Sequence, residues 1–226
     1  MEKIISSPIA DPERALVLAY APARLRPGLA ALWRLDERLG GIVAASREPM
    51  VAAISLAWWR EALEALDNSP PPAEPLLQSI AQALLPNGVS GAGLAEIEGG
   101  WAALLAVDPP DEEAIRDHGR LRGGPLFRLA GRLLAGEDRP ETAKAGEGWA
   151  LADLAARLGG APAAELARAR AAECLGELDD YRWPAALRPL GALARLAYRD
   201  ALSGGPRRQG SPARIARIML HRLTGR

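Results

Sequence analysis

Residues 27–43 decide the fold class, and they read PGLAALWRLDERLGGIV. Apolar side chains recur here at intervals of three and four, from Leu29 through Trp33 to Val43. This spacing places them on one face of an α-helix. The charged side chains fall on the opposite face, namely Arg34, Asp36, Glu37 and Arg38. The stretch therefore predicts an amphipathic helix that buries one side.

The same pattern continues along the chain. Prolines at 12, 27, 49, 109, 110 and 212 each stand before an apolar periodic run, where a first helical turn tolerates them. Alternating apolar and polar stretches typical of strands do not occur. We therefore expect an all-α fold with helices at about 29–43, 51–66, 75–85, 91–106, 111–135, 140–159, 162–178, 184–202 and 211–223. The Gly123-Gly124-Pro125 sequence should kink or split the 111–135 segment.

Composition narrows the class of protein. The chain has 226 residues, of which 49% are hydrophobic and 25% charged, a balance typical of globular proteins. Its 28 basic and 28 acidic residues cancel, so no global field favours a nucleic-acid partner. No repeat with a fixed period occurs, which favours a compact bundle over a solenoid. We expect a single domain over residues 1–226.

Three further features indicate where the protein is located and which catalytic chemistry it lacks: its cysteine, its histidines and its N-terminal residues. The single Cys174 cannot form an internal disulfide, and no Cys/His cluster has the spacing of a zinc site. We expect Cys174 to act as a small apolar residue, and His118, with no nucleophile motif nearby, to lie at a surface helix end. Residues 1–6 lack a signal-peptide core, and no apolar run reaches the ~20 residues of a membrane span. These features predict a cytoplasmic location, with contact at a membrane periphery left open.

Three stretches resemble the squalene/phytoene synthase family. The first is residues 11–33; the second, residues 48–63, contains Glu48-Pro49 and a Trp-Trp-Arg-Glu sequence at 58–61. The third is diffuse and covers 124–130, 146–151 and 187–198. The second stretch is similar in particular to the branch that contains the mitochondrial assembly factor for respiratory complex I. The resemblance implies an all-α bundle of the isoprenoid synthase type.

The resemblance also implies a chemistry, which this chain does not match. Active relatives join two prenyl diphosphates head to head, using magnesium held by Asp-Asp-x-x-Asp clusters on two facing helices. By the resemblance these clusters would fall at Gly40, Gly41 and Ala44, and near Ala155, Gly159 and Ala163. None is a carboxylate, so we expect no catalytic residues, no metal site and no cofactor, with Mg²⁺ required only if the chain is active after all.

Three acids near those positions are weak metal candidates. Asp36 and Glu37 stand together without a third acid a turn later, and Asp153 stands alone. Magnesium holds its water shell tightly and needs several oxygen ligands before it settles in a protein site. We expect these three side chains to be helix charges that face solvent.

Arginine and tryptophan supply the candidate ligand-binding residues. Arg34, Arg38 and Arg60 can bind diphosphate or another anion in a bidentate way. The alternative is pairing with Glu37 and Glu61 or exposure to solvent. Trp58 and Trp59 point about 100° apart on one helix, so at least one belongs to the core. The other lines a prenyl pocket or a partner surface.

The C-terminal segment 203–226 is basic. It carries no acid, and its charge of +6 comes from Arg207, Arg208, Arg214, Arg217, Arg222 and Arg226. Such a segment attracts anionic lipid or an acidic protein surface. The alternative is a terminal helix that caps the bundle.

These observations favour a catalytically degenerate family member. It would bind a prenyl or lipid ligand, or a protein partner, by analogy with assembly factors for respiratory complexes. Two alternatives remain open: an active head-to-head prenyltransferase, and a structural helical scaffold with a filled centre.

Overall fold

Helices build the part of the chain that this computed structural model describes, residues 9–205 and 207–225. They are α1 (Pro12–Tyr20), α2 (Arg26–Ala45), α3 (Pro49–Ala65), α4 (Pro75–Ala83), α5 (Gly91–Ala102), α6 (Glu112–His118), α7 (Gly124–Ala135), α8 (Pro140–Leu158), α9 (Pro162–Gly176), α10 (Arg188–Ser203) and α11 (Pro212–Thr224). These residues contain no strand, and the predicted all-α fold is confirmed. Within the same ranges, no helix combines the length and apolar character needed to cross a bilayer. Residues 1–6 and Arg226, on which parts of the sequence predictions fall, lie outside the described residues.

Helix ends follow the local sequence. The side chain of Asp11 caps α1 by accepting hydrogen bonds from the backbone N–H groups of Glu13 (2.8 Å) and Arg14 (3.3 Å). Proline occupies the first turn of α1, as it does in α2, α3 and α4. Gly136 ends α7 with a positive φ of 78°, a conformation that glycine adopts without steric cost. The predicted helix starts therefore agree with the structure.

The predicted 111–135 segment is split, as its glycines suggested. A π-helical turn, Gly119–Gly123, separates α6 from α7. The backbone of this turn lies directly against α8, because a Cβ atom on Gly123 would lie only 2.0 Å from the carbonyl oxygen of Gly146. A Cβ atom on Gly146 would likewise lie only 2.0 Å from the carbonyl oxygen of Gly123. This close approach allows side chains of the turn to reach the centre of the bundle.

Aromatic side chains fill that centre. Trp33 on α2, Phe127 on α7 and Trp149 on α8 are each at most 1% exposed. Their ring centroids lie 5.9 Å (Trp33 to Phe127), 5.3 Å (Phe127 to Trp149) and 6.4 Å (Trp33 to Trp149) apart. Large rings in such contact contribute much of a core's stability. The middle of the bundle is therefore packed with side chains.

We predict that a single methyl group at the contact between the turn and α8 is destabilising. Gly146→Ala should lower the free energy of unfolding by about 2 kcal/mol, because its Cβ would collide with the carbonyl of Gly123. Gly41→Ala is the matched control, since it lies within α2 with nothing near its Cβ position. That control should raise stability by up to about 1 kcal/mol through helix propensity. Urea unfolding measures both, and equal shifts of the same sign would contradict the close approach.

Candidate functional site: a buried ion-pair network

An arginine and an aspartate form a bidentate pair in the centre of the bundle. Arg122, on the π-helical turn, donates from Nε to Oδ1 of Asp36 at 2.7 Å and from Nη2 to Oδ2 at 3.0 Å. Both side chains are fully buried. Asp36 lies on α2 one turn after Trp33, so the same buried helix face carries both residues. The two parallel hydrogen bonds fix the guanidinium plane.

The same guanidinium reaches a second helix. Its Nη1 lies 2.9 Å from Oδ2 of Asp153 on α8, a residue that is 7% exposed. Arg14 on α1 joins from the other side, with Nη1 3.0 Å from Oδ2 of Asp36 in an ion pair without hydrogen-bond alignment. We call Arg14, Asp36, Arg122 and Asp153 the central network. It connects α1, α2, the π-helical turn and α8.

Neighbouring rings and a histidine complete the surroundings of Arg122. Its Cζ atom lies 4.1 Å from the ring centroid of Trp101, whose Nε1 donates to Asp36 at 3.1 Å. His118 Nδ1 lies 2.6 Å from the carbonyl oxygen of Gly100, so Nδ1 must carry the proton. The unprotonated Nε2 then accepts from Arg122 Nη1 at 3.1 Å. The histidine is a neutral acceptor that satisfies one more donor of the arginine.

The charges of the central network determine its protonation. Burial alone would raise the pKa of Asp36, but Arg122 and Arg14 lower that pKa from 3.8 to about 2. Burial likewise opposes ionisation of Asp153, and nearby arginines, Arg122 foremost, bring its pKa far below the ordinary value. Burial, then the charge of Arg122, lowers the pKa of His118 to about 3. At neutral pH the site therefore holds two carboxylates, two guanidinium groups and a neutral imidazole.

A second set of ion pairs attaches the C-terminal segment. Arg214 on α11 lies between Glu13 and Asp200, with its Nη2 2.9 Å from an oxygen of each. Burial opposes ionisation of Glu13, yet Arg214 and Arg207 lower its pKa. Arg207 also lies 3.1 Å from Oδ1 of Asp153, which links this set to the central network. Two arginines of the basic segment are thus internal partners that hold α11 on the bundle.

A cleft of about 790 Å³ opens beside the central network. Its charged lining is balanced, with four acids and four arginines: Asp11, Glu37, Asp153, Glu165, Arg14, Arg157, Arg168 and Arg207. Arg157 pairs with Asp153 at 2.9 Å, and Arg168 pairs with Glu165 at 2.6 Å. An anion entering this cleft would compete with carboxylates that the arginines already hold.

Two predictions about exposure were wrong. Asp36 and Asp153 do not face solvent, because their helix faces pack inward and each carboxylate finds buried arginines. His118 does end α6, but its side chain is fully buried against Gly100 and Arg122. Glu37, in contrast, is half-buried at the cleft, where its Oε1 accepts from the N–H of Ala10 at 3.2 Å.

The positions implied for the aspartate clusters hold no ligands. At Gly40 even a Cβ atom would lie 2.6 Å from the ring of Trp101, so the indole fills the space of a longer side chain. Ala155 is buried, and Gly159 ends α8 with positive φ. Across the described ranges, no three Asp, Glu, His or Cys side chains group closely enough to hold a metal ion.

The predicted ligand-binding residues lie elsewhere. Trp59 is 2% exposed, which confirms that one of the tryptophan pair belongs to the core, and Arg38 lies with Cζ 5.6 Å from its ring centroid. Trp58 is 47% exposed. Arg60 is exposed and Arg34 half-buried. None of these five lines the cleft beside the central network, so an anion site formed by the three arginines stays a prediction.

Sequence reasoning assigned no site role to Arg14 or Arg122, and it named Arg207 only as part of the basic C-terminal segment. One signal for Arg122 was present in the sequence, because it stands directly before Gly123-Gly124. Glycines allow close backbone packing, and a side chain next to such a contact lies inside the bundle. The expectation for Cys174 agrees with its surroundings, since burial raises the pKa of its thiol to about 12.

We predict that Arg122 is indispensable for stability. Arg122→Met leaves two buried carboxylates without their shared partner and should cost about 3–5 kcal/mol in urea unfolding. Arg120→Met, two residues earlier at an exposed pair with Asp117, should cost under about 1 kcal/mol. Similar losses in both variants would contradict the central role of Arg122.

We also predict an acid-sensitive stability. The folded-state pKa of Asp36 lies below its ordinary value, so its contribution is fully present above pH 4 and is lost as the pH falls towards 2. The fall of the Asp36 pKa from 3.8 to about 2 corresponds to about 2 kcal/mol in the free energy of unfolding. Urea unfolding of the wild type and Asp36→Asn between pH 2 and 6 should show a shallower slope in the variant. Identical slopes would show that Asp36 titrates normally.

The chain is similar to a known protein family. The family model for squalene/phytoene synthase matches residues 9–225. Comparisons with curated proteins and with solved structures returned no match. The match extends over nearly the whole chain and agrees with its helical architecture, so the chain belongs to the squalene/phytoene synthase family.

Proposed function

We propose that this chain is a non-catalytic member of its family that acts by binding. The observation that carries the proposal is the position of Arg122, whose guanidinium contacts both Asp36 and Asp153. These two acids lie on α2 and α8, the helices near which the resemblance places the metal-binding clusters. Both are already neutralised by protein cations.

Magnesium does not fit this arrangement. The ion demands several oxygen ligands in near-octahedral geometry, and it gives up its water reluctantly. Here each carboxylate would have to release a buried arginine, which would then lie unpaired among Trp101, Trp149 and His118. The chain's own arginines therefore hold the centre together, and neither Asp36 nor Asp153 is free to hold a metal-bound diphosphate.

The filled centre also favours surface binding over a prenyl ligand inside the bundle. Trp33, Phe127, Trp149 and Arg122 occupy the space between the helices, each at most 1% exposed. A prenyl chain would have to displace these side chains. The free energy of folding would then become less favourable, as it does when extra atoms are inserted into a well-packed core. The scaffold alternative and the binding alternative thus share one feature. In both, the centre of the bundle is filled, and any partner binds to the outer surface.

One outer face suits a protein partner. On α3, Met50, Val51, Ile54 and Trp58 lie along one side and are 47–71% exposed. Tryptophan and methionine are enriched in protein interfaces, and the exposed Arg60 and Glu61 on the same helix add charges of both signs. The resemblance of this segment to the complex I assembly factor branch favours a role in assembling a respiratory complex.

The test is an assay of diphosphate release. Purified chain is incubated with farnesyl or geranylgeranyl diphosphate and Mg²⁺, with an active phytoene synthase as positive control. We expect release no faster than from heat-inactivated protein, because arginine already holds Asp36 and Asp153. A calorimetric titration with a non-hydrolysable prenyl diphosphate analogue should show no magnesium-dependent binding.

Turnover that disappears in Asp153→Asn would overturn the proposal and restore the prenyltransferase alternative. Analogue binding without turnover would keep the chain non-catalytic and would assign the binding role to a prenyl ligand.

A further inference from the structure

Helix α11 presents an apolar face outward. Ile215, Met219 and Leu223 follow each other at intervals of four, and Leu220 lies beside them; these side chains are 36–75% exposed. The opposite face, with Ile218, is buried against the bundle. An amphipathic helix normally turns its apolar side inward, so this second apolar face is unexplained by folding alone.

Arginines border this face on both sides. At 100° per residue, Arg217 falls at one edge of the apolar arc and Arg222 at the other. The helix contains no acidic residue. Arginine stems can lie along an apolar surface while the guanidinium groups reach outward to anions.

A basic cleft adjoins the same helix. It has a volume of about 830 Å³, lies between α10 and α11, and is lined by five arginines against two aspartates. Arg195 and Arg214 are paired with Asp179 and Asp200. The other three, Arg199, Arg208 and Arg217, are exposed and make no ion pair within residues 9–205 and 207–225. Three cationic groups beside an apolar face are thus available to a ligand.

We propose that α11 and this cleft dock the protein on an anionic lipid surface. The apolar face enters the boundary between headgroups and acyl chains, and the three arginines contact lipid phosphates, as interfacial helices of this composition do. The docking stands independently of whether the chain is catalytic.

Charge favours lipid over a second copy of the chain. A two-fold dimer through α11 would bring the same basic rim of each copy together, and like charges in contact are unfavourable. An anionic bilayer complements the whole face at once, because it offers apolar depth and negative charge in the same plane. An acidic protein would satisfy the arginines and leave Met219 and Leu223 without an apolar counterpart.

Vesicle sedimentation of the full chain tests the proposal. We expect binding to phosphatidylcholine vesicles that contain phosphatidylserine, weakened by salt, and little binding to phosphatidylcholine alone. Replacing Arg199, Arg208 and Arg217 by Gln should lower the partition coefficient roughly a hundredfold, at several-fold per arginine. The control removes three exposed arginines elsewhere, Arg47, Arg116 and Arg120, and should leave binding nearly unchanged.

A second pair of variants tests the apolar face. Met219→Ser with Leu223→Ser should weaken binding at least tenfold, because two apolar side chains no longer enter the lipid. Met50→Ser with Ile54→Ser, equally exposed on α3, should not. Circular dichroism melts establish that each variant folds.

Three results would overturn the proposal. The first is equal binding, or none, to neutral and anionic vesicles. The second is equal weakening by the control variants. The third is a protein that does not bind vesicles but does bind poly-glutamate, or that forms a dimer which the α11 variants abolish.

Discussion

A buried guanidinium shared by two carboxylates is stable only when every partner is present. Arg122 meets this condition through Asp36 on one side, Asp153 on the other, the ring of Trp101 and the free nitrogen of His118. Removing charges from water is costly, and the attraction among them offsets that cost only with close, complete geometry. The helices that carry these groups are therefore held in one arrangement. The glycine contact between the π-helical turn and α8 is what allows Arg122 to reach that position.

The ion pairs extend from this point to α10 and α11. Asp153 is shared with Arg207, and Asp200 and Glu13 are shared between Arg207 and Arg214. Five carboxylates thus face five arginines across the two linked sets: Asp11, Glu13, Asp36, Asp153 and Asp200 with Arg14, Arg122, Arg157, Arg207 and Arg214. The positive and negative charges of the two linked sets are therefore equal in number, as they are in the whole chain. Helices distant in sequence, α1 and α11, are fixed to each other by this balance.

Sequence alone located the helices but not the contacts between their charges. Apolar periodicity and proline placed α2 and α3 within a few residues, because these signals are local. Asp36 follows Trp33 by three residues and Asp153 follows Trp149 by four, so each shares a buried face, a signal that could have corrected their predicted exposure. Their common partner stands 86 residues from Asp36. No spacing rule connects such distant positions, and a charged residue without a known partner is ordinarily assigned to the surface.

The interior and the surface of the protein thus have different roles. In a metal-dependent prenyltransferase, carboxylates must stay available to the ion while the diphosphate departs. Here Asp36 on α2 and Asp153 on α8 both pair with Arg122, so these two acids bind a protein cation in the centre of the bundle. Two exposed apolar faces are not used by folding, namely Met50, Val51, Ile54 and Trp58 on α3, and Ile215, Met219, Leu220 and Leu223 on α11. Because the two faces lie on different helices, the protein partner and the anionic lipid surface proposed above would not compete for the same helix.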